Sequence, residues 1–191
     1  AYNMANKKSL ALTKEQYEKL IEAMRSGGRN FRANDRIATA LVLEANLGLR
    51  IGDILKLRLQ DIVLDGTRYR LNIIEEKTQK KRTFTVPQPI YQYLRIYCMD
   101  HELQKDDVLF PITERAVQKY LAKVATELEY PSIGTHSFRK FFATEIYTNN
   151  DYNIILVQQL LQHSSAAITQ RYIGISSKEI EDALAGHIDL R

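Results

Sequence analysis

Apolar residues at the start of the chain recur with the spacing of a helix. Leu20, Ile21 and Met24 fall on one face of a predicted helix, and Thr13 is placed to act as its N-cap. Gly27 and the glycine after it end the helical pattern. The pattern therefore predicts a short amphipathic helix that buries one side.

A second helical segment, residues 32–47, is apolar on nearly all of its sides. Such a helix belongs in the middle of a globular fold, because none of its faces is suited to water. Gly48 ends it, and residues 49–57 begin another short helix. We expect residues 32–47 to form the central helix of the core.

The hydrophobic period then changes from helical to alternating. Residues 61–64, 69–74 and 82–86 read as strands, and Asp65-Gly66 is a strong two-residue turn signal between the first two. A polar loop, residues 75–81, joins the second strand to the third. We predict a small three-stranded antiparallel sheet.

The rest of the chain is predicted to be helical. The segments are 87–103, 113–129, 135–148, 153–162, a piece after Ser164 that carries Tyr172, and 178–184. The fold class is therefore mainly α with one small three-stranded antiparallel sheet. We expect one domain over residues 12–191, preceded by a polar tail or linker remnant over residues 1–11.

Composition is that of a globular protein, with 45% hydrophobic and 26% charged residues. The net charge of +4 and the pI of about 9.1 suit a polyanionic partner. No apolar run is long enough to span a bilayer, and we expect a cytoplasmic location. The single cysteine, Cys98, forms no internal disulfide, and the four histidines show no zinc-ligand spacing.

Three separate stretches of the sequence contain candidate functional residues. Arg50 lies between apolar residues at a predicted helix start, where it forms an anion site or pairs with an acid such as Asp53. His136 and Arg139 share a helix face at spacing i, i+3, either as a phosphate site or as a surface pair. Lys77 lies in the loop between two strands, where it reaches a site or only adds solubility.

A fourth stretch holds His163 and, nine residues later, Tyr172. A phenol with a pKa near 10 is a weak nucleophile at neutral pH. It becomes effective when a base takes its proton and the attacked phosphate is neutralised. Two arginines, a lysine and two histidines supply those functions for attack on a phosphodiester, and they need neither a metal nor another cofactor.

Four motifs in this order resemble the catalytic domain of the tyrosine recombinases, the phage-integrase family. They are residues 48–54 around Arg50, 76–87 with the lysine and a following Val-Pro, 135–144 with His-x-x-Arg, and 160–172 with the second histidine and the tyrosine. Two positions depart from the family pattern. Gln162 stands where the family usually has glycine, and Gly52 stands where a small polar residue is common.

The resemblance implies a site-specific recombinase or integrase. Tyr172 attacks the DNA phosphate and leaves a 3′-phosphotyrosyl link and a 5′-hydroxyl. Arg50 and Arg139 hold the non-bridging oxygens, and Lys77 protonates the leaving oxygen. His136 assists proton transfer at Tyr172, His163 hydrogen-bonds the phosphate, and Asp53 supports Arg50 or its helix. Lys80, Lys81 and Arg82 are candidate DNA phosphate contacts.

The resemblance also implies binding partners, and it leaves two alternative functions open. The partner is double-stranded DNA, on which the protein forms a homo-tetramer that exchanges its C-terminal helix, and the isolated protein is a monomer. An N-terminal DNA-binding domain, common in the family, has no counterpart in these residues. The alternatives are a type IB topoisomerase-like relaxing enzyme and a non-catalytic DNA-binding module on the same scaffold.

Overall fold

The structure is a computed structural model, and it describes residues 11–161, 173, 184–187 and 189–190. Helix α1 (Lys14–Ser26) begins at the predicted cap, since the Thr13 hydroxyl accepts a 3.1 Å hydrogen bond from the Gln16 backbone N–H. The predicted stripe of α1 is buried. The amphipathic-helix prediction is confirmed at both ends.

Helix α2 (Asp35–Leu47) is the centre of the core, and nine of its 13 residues are buried. It starts three residues later than predicted because the side chain of Asn34 caps it, accepting a 3.0 Å hydrogen bond from the Ile37 N–H. It ends at Gly48, which adopts the left-handed conformation with φ of 69°. Helix α2 packs mainly against α6 (Thr135–Asn149) and also against α1.

A short helix, α3 (Ile51–Ile54), comes after Gly48, and a 3-10 turn (Leu59–Asp61) leads into the sheet. Strands β1 (Ile62–Asp65), β2 (Arg68–Ile74) and β3 (Lys81–Val86) pair antiparallel in that order. The predicted three-stranded sheet is confirmed. Its β2–β3 hairpin is closed by a 2.9 Å hydrogen bond from the Glu75 N–H to the Lys80 carbonyl.

The remaining helices are α4 (Gln88–Asp100), α5 (Glu114–Glu127), α6 and α7 (Ile154–Leu161). Helix α4 stops at residue 100, short of the predicted 103. The predicted piece that carries Tyr172 lies outside the described residues, as does most of the predicted helix 178–184. Among the described helices, none has the length and apolar character that a membrane span requires.

Candidate active site

Arg50 is the N-cap residue of α3, and its side chain reaches the end of β2. Its Nη1 donates a 2.7 Å charge-assisted hydrogen bond to Oε2 of Glu75. The Arg50 side chain is 18% exposed, whereas that of Glu75 is 1% exposed. The acid that pairs with Arg50 is therefore Glu75, 25 residues away in sequence, and not the neighbouring Asp53.

Asp53 is nonetheless part of the same arrangement. It is 5% exposed, and its Oδ1 accepts a 3.0 Å hydrogen bond from the backbone N–H of Glu76. Glu76 immediately precedes Lys77. Asp53 thus ties the start of the loop that bears Lys77 to the helix that Arg50 begins.

Arg139 lies on α6 and is fully buried, at 0% exposure. Its Nε donates to the Gly48 carbonyl at 2.8 Å, and its Nη2 donates to the Leu161 carbonyl at 3.1 Å. Gly48 precedes Arg50 by two residues, and Leu161 lies in α7. Arg139 therefore connects the start of the Arg50 motif to α7.

His136 lies in the first turn of α6 and, unlike Arg139 three residues later, keeps contact with solvent. The protein around its ring still removes part of its hydration, which lowers the pKa of His136, and the positive charges of Arg139, Lys140 and Lys77 lower it further. The imidazole is therefore held neutral at pH 7. Lys77 itself is exposed in the hairpin loop, close enough for its charge to act on His136.

The three basic residues proposed as DNA contacts differ in placement. Lys80 and Lys81 are exposed at the hairpin, whereas Arg82 is 3% exposed. The Nη2 of Arg82 donates to the Leu160 carbonyl, and its Nη1 lies 3.9 Å from Oε2 of Glu75. Burial lowers the pKa of Arg82 to about 10, against the opposing effect of Glu75. Arg82 is directed inward, so its geometry does not favour a surface phosphate contact.

A second buried acid, Glu44 on α2, lies on the Arg139 side and is 1% exposed. Burial raises the pKa of Glu44 well above its ordinary value, although the positive charge of Arg139 opposes that shift. The nearby backbone N–H of Ile51 also lowers the pKa of Glu44, but by less than the Arg139 charge does. Glu44 therefore lies close to the start of α3, the helix that Arg50 caps.

The fold brings Arg50, Lys77, His136 and Arg139 into one electrostatic neighbourhood. The charges of Arg50 and Arg139 both act on Arg82, and those of Arg139 and Lys77 both act on His136. His163 and Tyr172 lie outside the described residues. Within residues 11–161 and the short described pieces after them, no three histidine, cysteine or acidic side chains cluster as metal ligands.

Local sequence patterns do not single out two acids at this site. Glu75 falls in a predicted polar loop, although it follows β2 and continues the alternation of Leu71 and Ile73 on one face of that strand. Glu44 falls in a helix predicted to be apolar on nearly all sides. The strand alternation is therefore a usable signal for Glu75, whereas no local signal points to a partner of Glu44.

Comparison with known proteins decides the family. A sequence profile of the phage integrase family matches residues 11–179 of the 191-residue chain. This chain belongs to the phage integrase family. Probable integrase/recombinase YoeC of Bacillus subtilis is 32% identical over 149 residues, which cover 74% of this chain and 79% of that relative.

Solved structures share the fold. The XerH site-specific recombinase, bound to palindromic difH substrate in a post-cleavage complex, matches with a TM-score of 0.72 at 22% identity, covering 92% of this chain and 52% of that chain. The catalytic domain of bacteriophage HP1 integrase matches with a TM-score of 0.63 at 19% identity, covering 94% and 96%. The predicted fold class, that of a tyrosine recombinase catalytic domain, is confirmed. The chain spans about half of XerH and of several curated XerC relatives.

Proposed function

We propose that this chain is the catalytic domain of a site-specific tyrosine recombinase, which cuts and rejoins double-stranded DNA through a 3′-phosphotyrosyl intermediate. The observation that carries the proposal is the convergence of Arg50, Lys77, His136 and Arg139. These residues come from the start of α3, the β2–β3 loop and α6. A fold that gathers cationic and imidazole groups from such distant stretches is suited to a phosphate.

The two arginines would neutralise the phosphate and stabilise the crowded phosphorane. Arg50 is partly exposed and would donate to the phosphate directly, whereas Arg139 is fully buried in the chain without DNA and would reach a non-bridging oxygen once DNA binding uncovers its guanidinium. A guanidinium has five N–H donors in a planar fork, so Arg50 can keep its bond to Glu75 and still present donors to a non-bridging oxygen. A single preorganised donor of this kind contributes about 10²–10³ in rate. The site does not depend on a metal ion for this charge, because the guanidinium groups supply it.

Protons are moved by the remaining groups. With its pKa lowered, His136 is neutral at pH 7 and can accept the proton of Tyr172 as the phenol attacks. Lys77 would protonate the departing 5′-oxygen as general acid. His163 would hydrogen-bond the phosphate, and a 5′-hydroxyl from a partner strand would then reverse the step.

The wider assembly belongs to the same proposal. Lys80 and Lys81, both exposed beside the Lys77 loop, would contact DNA phosphates outside the scissile one. Residues 12–191 would form the catalytic unit, which acts with a separate N-terminal DNA-binding domain. The unit would be a monomer in isolation and a homo-tetramer on DNA that exchanges its C-terminal helix. It would work in the cytoplasm, associated with the nucleoid.

The test is covalent capture on DNA. The chain is incubated with a library of nicked duplexes, in which the short cleaved strand diffuses away and traps the intermediate. Adducts that survive denaturant are then isolated, the DNA is sequenced, and the attached residue is mapped by mass spectrometry. We expect a DNA adduct on Tyr172 that also forms in the presence of EDTA.

The control variant is Tyr172→Phe, which should bind DNA but form no adduct. An adduct on the Phe variant, or none on the unaltered chain, contradicts the proposal. Strand joining between two captured half-sites supports a recombinase. Relaxation of supercoiled plasmid without such joining would instead identify a type IB topoisomerase-like enzyme, and salt-sensitive binding without any adduct would identify a DNA-binding module.

A further inference from the structure

We propose that Arg82 is a positioning residue of the active site, which fixes α7 at Leu160 to the β2–β3 hairpin, with Glu75 linking it to Arg50. The inference rests on the proposed function, because its catalytic consequence is measured at Tyr172. It assigns Arg82 an inward role instead of a DNA contact.

The first support is the contact of Arg82 with α7. The Arg82 guanidinium donates to the Leu160 carbonyl, and Arg139 donates to the carbonyl of the next residue, Leu161. Arg82 is 3% exposed, and a buried donor without an acceptor costs about 1–3 kcal/mol, so the Leu160 carbonyl stabilises the inward position of Arg82.

The second support is the carboxylate between the two arginines. Oε2 of Glu75 lies 2.7 Å from Nη1 of Arg50 and 3.9 Å from Nη1 of Arg82. Glu75 is buried, and the Thr78 hydroxyl donates to its other oxygen at 3.4 Å. Because the carboxylate is shielded from water, its negative charge attracts both guanidinium groups strongly. A continuous polar chain thus runs from the start of α3 through Glu75 and Arg82 to α7.

The third support is the order of residues along the chain after α7. His163 comes two residues after Leu161, and Tyr172 comes 11 residues after it. Arg82 and Arg139 therefore hold the two residues of α7 that precede His163 most closely among those described. A displacement of about 1 Å at a reacting group can cost about 100-fold in rate, so the position of these two residues matters to catalysis.

The test compares Arg82→Met and Arg82→Lys with a matched control, Arg70→Met. Arg70 is a partly exposed arginine on neighbouring β2 that pairs with Asp65 at 3.0 Å. The first readout is amide hydrogen exchange of residues 157–161 in the DNA-free chain. We expect exchange to become about 10-fold faster in Arg82→Met and to be unchanged in Arg70→Met.

The second readout separates positioning from a DNA contact. At saturating nicked DNA, we expect Arg82→Met to form the Tyr172 adduct about 10- to 100-fold more slowly, with unchanged DNA affinity and an unchanged salt dependence of binding. Arg82→Lys should recover part of the rate, since it keeps one charged donor for the Leu160 carbonyl. Rates are compared below the melting temperature of every variant, so loss of folded protein does not enter.

Two results would overturn the inference. One is unchanged exchange at α7 in Arg82→Met. The other is a normal rate at saturation together with a salt slope reduced by about one, which is the signature of a phosphate contact. If the unaltered chain forms no adduct at all, the proposed function fails instead, and the exchange measurement still decides whether Arg82 holds α7.

Discussion

Arg50 and Arg139 are held in opposite ways, although both are proposed to bind one phosphate. Arg139 is fully buried and donates to two backbone carbonyls, those of Gly48 and Leu161. Arg50 is 18% exposed and donates to a carboxylate, Glu75. The first arginine therefore joins parts of the backbone to one another, whereas the second is oriented by a side chain and remains open to solvent.

Of the two proposed phosphate-binding charges, one therefore also holds the backbone together, and the other keeps more freedom to adjust. The Gly48 and Leu161 carbonyls cannot move without moving α7 or the segment before α3. We therefore expect Arg139 to contribute both to the stability of the fold and to catalysis. A carboxylate holds Arg50 through a single short bond and leaves the rest of its fork available. We therefore expect changes at Arg50 to affect catalysis more than stability.

The largest effect is expected for Arg139→Gln. Loss of the guanidinium removes the buried hydrogen bonds that Arg139 donates to the Gly48 and Leu161 carbonyls, and each buried acceptor left unsatisfied costs about 1–3 kcal/mol. We predict that the free energy of unfolding falls by about 3–5 kcal/mol and that adduct formation is lost. Chemical denaturation measures the first quantity. Arg95→Gln, at an exposed position on α4, is the control and should change stability by less than about 0.5 kcal/mol. A loss below about 1 kcal/mol for Arg139→Gln would show that the buried contacts of Arg139 do not stabilise the fold.

A smaller loss of stability is expected for Arg50→Gln, about 2 kcal/mol, because Arg82 still lies near the buried Glu75 carboxylate. Adduct formation should slow by about 10²–10³-fold at saturating DNA. Adding Glu75→Gln should restore about 1 kcal/mol of stability without restoring the rate. Denaturation and single-turnover capture on nicked DNA measure the two quantities.

The Arg50→Gln and Glu75→Gln variants, made singly and together, form a double-mutant cycle. The Lys56–Glu76 pair is its matched control. Its charged atoms are also 2.7 Å apart, but its side chains are 63% and 61% exposed. An exposed pair contributes little, so its coupling in the same double-mutant cycle should be below about 0.5 kcal/mol. Equal coupling energies for the two pairs would show that burial of Glu75 is not what holds Arg50.

The third effect concerns Gly48, whose carbonyl anchors Arg139. Gly48 has φ of +69°, and a Cβ added there would lie 2.3 Å from the Phe142 ring, which is buried. Gly66 has a similar φ of +64°, but an added Cβ meets nothing within 4 Å. Both alanine variants incur the left-handed backbone cost, so their difference isolates crowding at Phe142. We predict that Gly48→Ala is less stable than Gly66→Ala by about 1–2 kcal/mol in denaturation. Equal losses would mean that Phe142 moves aside freely.

The sequence predicts the helices and strands better than it predicts which side chains pair with one another. The capped helix α1, the central helix α2 and the sheet follow from hydrophobic period, glycine positions and turn chemistry, all of which are local signals. The partner of Arg50 does not follow, because Glu75 reaches it only through the pairing of β2 with the rest of the fold. The alternation that makes Val86 buried also turns Arg82 inward on the same face of β3. A count of basic residues in the hairpin cannot reveal that direction.

The smallest effect concerns Glu44, the buried acid of α2 on which the Arg139 charge acts. Burial raises the pKa of Glu44 well above its ordinary value, so the folded chain holds this proton at pH values where the unfolded chain has released it. The stability that this proton contributes is complete below the unfolded pKa of 4.5 and is lost as the pH rises through the folded pKa. Glu44→Gln has nearly the same shape as the native side chain and cannot titrate. We therefore predict that the unfolding free energy of the unaltered chain declines relative to Glu44→Gln as pH rises from about 5 to about 6, by at most about 1.4 kcal/mol. Denaturation curves of both proteins at each pH measure the difference, and a constant difference across that range would show that Arg139 keeps Glu44 ionised.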